Sequence, residues 1–167
     1  KISYSKDTWP LRLMEIKRGV TEPYPDLIVW PESVDQVAKI VKLANEEKIP
    51  LIPYGGGANV TGGTIPVYGG VIVDLKKLDK VLEFDEKSAT VTVQAGVIGQ
   101  DLENYLNKRG YRFPHQPASM YCSSVGGFVA TRSAGTFSSK YGRVEDMVVC
   151  LEAMLPTGEV IRTRKAP

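Results

Sequence analysis

Seven of the sixteen glycines fall between positions 55 and 70, and Gly55, Gly56 and Gly57 are consecutive. Glycine is used where the backbone must take positive φ or come close to another group. This stretch is therefore the point around which regular elements must be arranged. Before it, residues 27–30 read Leu-Ile-Val-Trp, a buried strand with Trp30 in the core, ended by Pro31. Ser33 then caps a helix, with Gln36 three residues on to close a capping box. Val34, Val37, Ile40, Val41, Leu43 and Ala44 form its apolar stripe, and Asp35 pairs with Lys39 at i,i+4. The helix stops before Pro50, because the residue preceding a proline avoids the α region. Residues 49–54 form a second strand, and a strand–helix–strand unit favours parallel pairing through a right-handed crossover. The glycines follow at once.

Beyond them the pattern is strand-rich. Residues 71–75, 81–84 and 89–95 are short β segments, the last alternating Thr90, Thr92 and Gln94 with Val91 and Val93. A second helix covers residues 100–109, with Leu102, Tyr105 and Leu106 on one face and Gly110 just past its end. A loop holding His115 leads to a helical segment at Gly126 and Gly127. Residues 144–164 read as strands around a turn at Pro156, Thr157 and Gly158. A polar lead-in, residues 1–24 with a short helix at 11–17, precedes one α+β unit over residues 25–167.

Composition narrows the chemistry. A chain of 167 residues, 43% hydrophobic, buries enough surface to fold without disulfides or metal. Twenty-one basic residues against nineteen acidic ones leave +2, far from the basic face of a nucleic-acid binder. The opening cluster of Lys1, Lys6, Arg12, Lys17 and Arg18 reads as solvated charge. No apolar run approaches the ~20 residues of a membrane span, and no signal-peptide core opens the chain, so the expected location is cytoplasmic. Cys122 and Cys150 read as inert thiols, and with His115 the only histidine a catalytic metal is not expected. No GxSxG elbow is present. Chemistry here falls to a bound cofactor.

Consecutive N–H groups in a glycine turn form an anion-holding nest, yet neither common phosphate loop fits. GxGxxG requires glycine at 60, where the chain has Val60. GxxxxGK[ST] fits Gly57 and Gly62 but meets Gly63 in place of lysine, so the usual cation is missing. No helix follows either, since residues 64–70 include Pro66, Gly69 and Gly70. The loop reads as a backbone-only grip on a phosphate or pyrophosphate, with a mobile hairpin as the alternative. Residues 115–135 form a second segment of this kind. Ser123 and Ser124 offer hydroxyls, and Gly126 and Gly127 admit a ligand close to a helix start.

Four segments in this order resemble the FAD-linked oxidases of the vanillyl-alcohol oxidase, or PCMH-type, superfamily. They are residues 25–31 (PDLIVWP), 53–59 (PYGGGAN), 115–127 and 131–135 (TRSAG), the last leading to YGRVED at 141–146. The likeness is greatest to the branch of alkyl-dihydroxyacetonephosphate synthases and D-lactate or glycolate dehydrogenases. It implies a PCMH-type FAD-binding fold, a strand–helix–strand unit followed by a mixed, strand-rich subdomain. It also implies that Pro53, Tyr54, Gly55, Gly56, Gly57, Ala58 and Asn59 wrap the FAD pyrophosphate. Pro117, Ala118, Ser119, Ser123, Ser124, Gly126 and Gly127 would line its other side, and Thr131, Arg132, Ser133 and Ala134 would approach the flavin end. Relatives that bind flavin covalently use a His in the first loop, where this chain has Ala58 and Asn59, or a Cys at the position of Ser124. FAD is therefore expected to bind non-covalently.

The resemblance implies oxidation of a small 2-hydroxy acid by hydride transfer to flavin, or alkyl transfer without net redox change. It also implies a further region or a second chain to complete the site; a non-catalytic module and an unrelated nucleoside-phosphate binder are the other classes. His115 reads as structural, with flavin-site acid–base work as its alternative. Arg132 reads as a phosphate or flavin contact or as surface charge on a helix. Tyr141 reads as core, and Glu145 and Asp146 as neighbours pointing apart on a strand.

Overall fold

The computed structural model describes residues 2–163. Arg164, the last residue of the expected C-terminal strand segment, lies outside them, as do Lys1 and residues 165–167. Helix α1 (Pro10–Lys17) belongs to the lead-in. Strand β1 (Leu27–Val29), helix α2 (Val34–Glu46) and strand β2 (Leu51–Tyr54) follow, then β3 (Val71–Asp74). These three strands make a parallel sheet in the order β1-β3-β2, with Leu27 and Leu51 both level with Val71. The strand–helix–strand reading holds, with one change: β1 and β2 do not pair with each other, because β3 enters between them. Strand β3 carries the buried positions, Ile72, Val73 and Asp74.

That insertion overturns the core assignment of β1. As an edge strand it leaves Leu27 exposed, and Trp30, just past its end, is 46% exposed. The Trp30 indole N–H donates to the Asp74 carboxylate at 3.2 Å, the polar handle that brings tryptophan to half-buried positions. In α2, Ser33 accepts from the Gln36 amide at 3.2 Å, while the Gln36 side chain accepts from Glu32 one residue earlier than a capping box requires. Its buried stripe is narrower than expected, since Val34 and Leu43 face solvent.

A second layer follows. Antiparallel β4 (Val81–Asp85) and β5 (Thr90–Val93) pack with α3 (Gly99–Asn107) around Val97, Leu102 and Leu106. The helical spacing of Leu102 and Leu106 produces this core as expected. Phe113 bridges it to a second cluster of Met120, Phe128 and Val144, which holds α4 (Val125–Ala130) and α6 (Val144–Met147). Residues 144–147 are therefore helical, not strand, because the Asp146 carboxylate accepts from the Arg143 amide and caps the turn. Helix α5 (Ser138–Tyr141) leaves Tyr141 43% exposed rather than in the core, edge-on to Phe137. Hairpin β6 (Glu152–Met154) and β7 (Val160–Arg162) forms around Pro156, Thr157 and Gly158 as expected. No helix among the described residues is long and apolar enough to cross a membrane.

The lead-in is folded around one buried side chain. Arg12, read from sequence as solvated, is 1% exposed. It donates to the carbonyls of Ser5, Thr21 and Glu22 and pairs with Glu15 at 3.0 Å. Arg12→Met should cost about 3 kcal/mol, since the buried Ser5 carbonyl and the part-buried Thr21 and Glu22 carbonyls would lose their donor. A urea-unfolding midpoint unchanged from wild type would show that these bonds contribute nothing net.

Candidate functional site

The C-terminal ends of all three parallel strands meet on one side of the sheet, the edge at which open parallel sheets bind ligands. Trp30 lies there beyond β1, the glycine loop beyond β2, and Asp74 closes β3. Asp74 is completely buried and fully used. Its Oδ2 accepts from the Tyr4 hydroxyl and the Lys76 ammonium, both at 2.6 Å, and from Trp30. Its Oδ1 accepts from the Lys76 amide at 3.0 Å. The Tyr4 and Tyr54 rings pack at a 53° tilt with centres 4.8 Å apart, and the Lys76 ammonium lies 4.9 Å from the Tyr54 ring centre. Burial first, and then the neighbouring Tyr4, Asp74 and Asp7, push the Tyr54 hydroxyl up to about 12.

The loop leaving Tyr54 is packed backbone to backbone against the second segment. A β-carbon at Gly56 would lie 1.8 Å from the Cys122 carbonyl oxygen, and one at Gly55 would lie 2.3 Å from the Ser124 hydroxyl. Gly57 takes φ +64°, folding the chain over the Tyr54 hydroxyl. Asn59 closes the turn, its Oδ1 accepting from the Thr61 amide, the Thr61 hydroxyl and the Gly63 amide. Thr8 of the lead-in ties the outer side, donating to the Ala58 and Asn59 carbonyls. The amides of Gly56, Gly57 and Ala58 meet no acceptor among the described residues. A row of half-buried, unspent N–H donors is the chemistry of an anion site.

The two segments that share glycines and small hydroxyls in sequence lie against each other in the structure. The missing lysine was not legible in the sequence: Lys76 comes from the turn Leu75–Lys77 and donates to the Gly55 carbonyl at 3.0 Å. Its only sequence signal is a position two residues past a strand-ending aspartate. Pro53 and Ala118 are exposed, Pro117 and Ser119 half-buried, and Ser123 and Ser124 buried. Ser124 caps α4, accepting from the Gly127 amide, and Gly126 packs on Ala95.

The third group is held by other contacts. Thr131 donates its hydroxyl to the Gly127 carbonyl, and Ser133 bonds the His115 Nε2 at 2.6 Å. Arg132 takes φ +50° and is exposed but not helical; its guanidinium binds Glu145 at 2.9 and 3.0 Å. Ala134 is exposed beside Gly135, which packs on the Gln116 backbone. His115 is 1% exposed between Phe113 and Phe128. Burial pulls its imidazole below the ordinary 6.5.

Residues 25–164 match the family described as FAD binding domain. The chain is 37% identical to the glycolate oxidase subunit GlcD of Bacillus subtilis (strain 168) over 139 residues, 83% of this chain and 30% of that protein. It is 39% identical to the alkyldihydroxyacetonephosphate synthase of Dictyostelium discoideum, over 87% of this chain and 24% of that one. For the D-lactate dehydrogenase of Anaerostipes hadrus the identity is 38%, over 83% and 29%. A solved alkyldihydroxyacetonephosphate synthase superposes with a TM-score of 0.90 at 35% identity, covering 99% of this chain and 30% of that one. The chain thus spans under a third of the length of each of these relatives.

Gly56→Ala should destabilise the fold by roughly 1–3 kcal/mol, because a backbone carbonyl cannot step aside for a methyl group. Gly63→Ala, whose β-carbon meets only the Asn59 side chain at 3.2 Å, should cost less; equal melting temperatures for the two variants would contradict the close-packed loop. For His115 the sign follows from its depressed folded value. Its stability contribution is full above pH 6.5 and is lost as the pH falls from there through the folded value, since the unfolded chain binds the proton first. His115→Gln should flatten the stability–pH curve on that acid side.

Proposed function

Because the chain belongs to the FAD binding domain family, we propose that it is the cofactor-holding part of a longer flavoenzyme that oxidises a small 2-hydroxy acid. One observation carries the assignment of the cofactor to this face: the unspent amides of Gly56, Gly57 and Ala58 beside a second segment at packing distance. That donor set fits a pyrophosphate. Pro53, Tyr54 and Gly55 deliver the loop, and Ala58 and Asn59 close it. Pro117, Ala118, Ser119 and Ser123 line the facing wall, where Ser124 holds the start of α4 and Gly126 and Gly127 keep that wall low. Thr131, Arg132, Ser133 and Ala134 border the flavin end. When bound, FAD supplies the hydride acceptor, while the protein binds, orients and screens it.

Attachment is non-covalent, because no histidine stands in the first loop and Ser124 occupies the position used by cysteine-linked relatives. Cys122 points its thiol to the Ser119 carbonyl at 3.4 Å. The 2-hydroxy-acid reading is supported by the glycolate oxidase and D-lactate dehydrogenase relatives. Alkyl transfer is the second reading, favoured by the 0.90 superposition on a synthase. Residues that choose between them belong to the remainder of the longer protein.

Titrating the chain with FAD and recording its visible spectrum tests the cofactor. A bound-flavin spectrum is expected, and acid precipitation should release all of the colour. Absence of uptake overturns binding by this chain, and colour kept in the pellet overturns non-covalent attachment. In the longer protein, D-lactate should bleach a redox dye; ether-lipid formation without dye reduction would favour alkyl transfer.

A further inference from the structure

The unexplained charge beside the loop is Lys76. Its ammonium is held at three points: the Gly55 carbonyl at 3.0 Å, the Asp74 carboxylate at 2.6 Å and the faces of Tyr4 and Tyr54. Asp74 also takes the Lys76 amide, so one buried carboxylate grips both ends of the residue. With a carboxylate at 2.6 Å the ammonium is not a free cation, and a second of its three N–H donors goes to the loop backbone. Gly55 is the residue where β2 becomes the loop, and a carbonyl turned toward Lys76 commits the following peptides.

We propose that Lys76 is a positioning residue for FAD: it pins the Gly55 carbonyl against the sheet edge so that the amides of Gly56, Gly57 and Ala58 stay turned to the pyrophosphate. A lysine absent from the loop sequence is thus supplied from the next strand's end, and it acts on the loop backbone. This inference rests on the FAD reading above.

Flavin fluorescence titrations of wild type, Lys76→Met and Lys76→Arg with FAD, and with riboflavin as the phosphate-free control, test it. Lys76→Met should weaken FAD roughly tenfold or more, as for loss of a charge-assisted hydrogen bond. Riboflavin affinity should be unchanged, and Lys76→Arg should restore FAD binding. Unaltered FAD affinity in Lys76→Met, or an equal loss for both ligands, overturns the proposal. If Lys76→Met alone does not fold, the pair Asp74→Asn with Lys76→Met removes the buried charge together with its partner, and the same outcomes apply. Amide order parameters of residues 55–58 in the ligand-free chain give an independent reading: they should fall in Lys76→Met, and unchanged values overturn the role. Wild type that takes up no FAD would sink the cofactor reading while leaving this loop measurement decisive.

Discussion

At Gly56 two stretches of backbone approach so closely that a β-carbon would lie 1.8 Å from the Cys122 carbonyl oxygen. The site depends on this contact. It sets the separation between the loop after β2 and the segment that starts α4, and it leaves the amides of Gly56, Gly57 and Ala58 along the seam. A side chain at Gly55 or Gly56 would hold the two walls apart. A glycine tract here is therefore less a flexible hinge than a close-packed joint, fastened by Asn59 on one side and Thr8 on the other.

The joint is oriented by a second constraint, the buried carboxylate of Asp74. A fully buried ion is tolerated only when its oxygens are satisfied, and Asp74 recruits Tyr4, Trp30 and both ends of Lys76 to do so. One residue at the end of the central strand thereby gathers the lead-in, the edge strand and the glycine loop. This explains why Trp30 stays at the surface despite its apolar bulk, and why the lead-in docks on the body.

Periodicity showed the amphipathic helices, the short strands and the final hairpin, because these patterns are local. Its failures arise where side-chain hydrogen bonds, near or far in sequence, override hydrophobic pattern. Hydrophobicity alone puts Trp30 and Tyr141 inside, whereas a partner distant in sequence and a helix end decide their exposure. Residues 144–147 look like a strand in composition but are wound by the Asp146 cap. Arg12 looked like solvated charge because nothing near it in sequence announces the three carbonyls it serves.

The family, the two segments rich in glycine and small hydroxyls and the want of a loop lysine are all legible in the letters, since glycine spacing and small hydroxyls act through backbone chemistry that letters express directly. Tertiary structure alone decided that β3 enters between β1 and β2, that Gly55 and Gly56 seat on Cys122 and Ser124, and that Lys76 reaches the loop. Each of these is a contact between residues about twenty or more positions apart, set by strand order and side-chain reach, which no local pattern encodes.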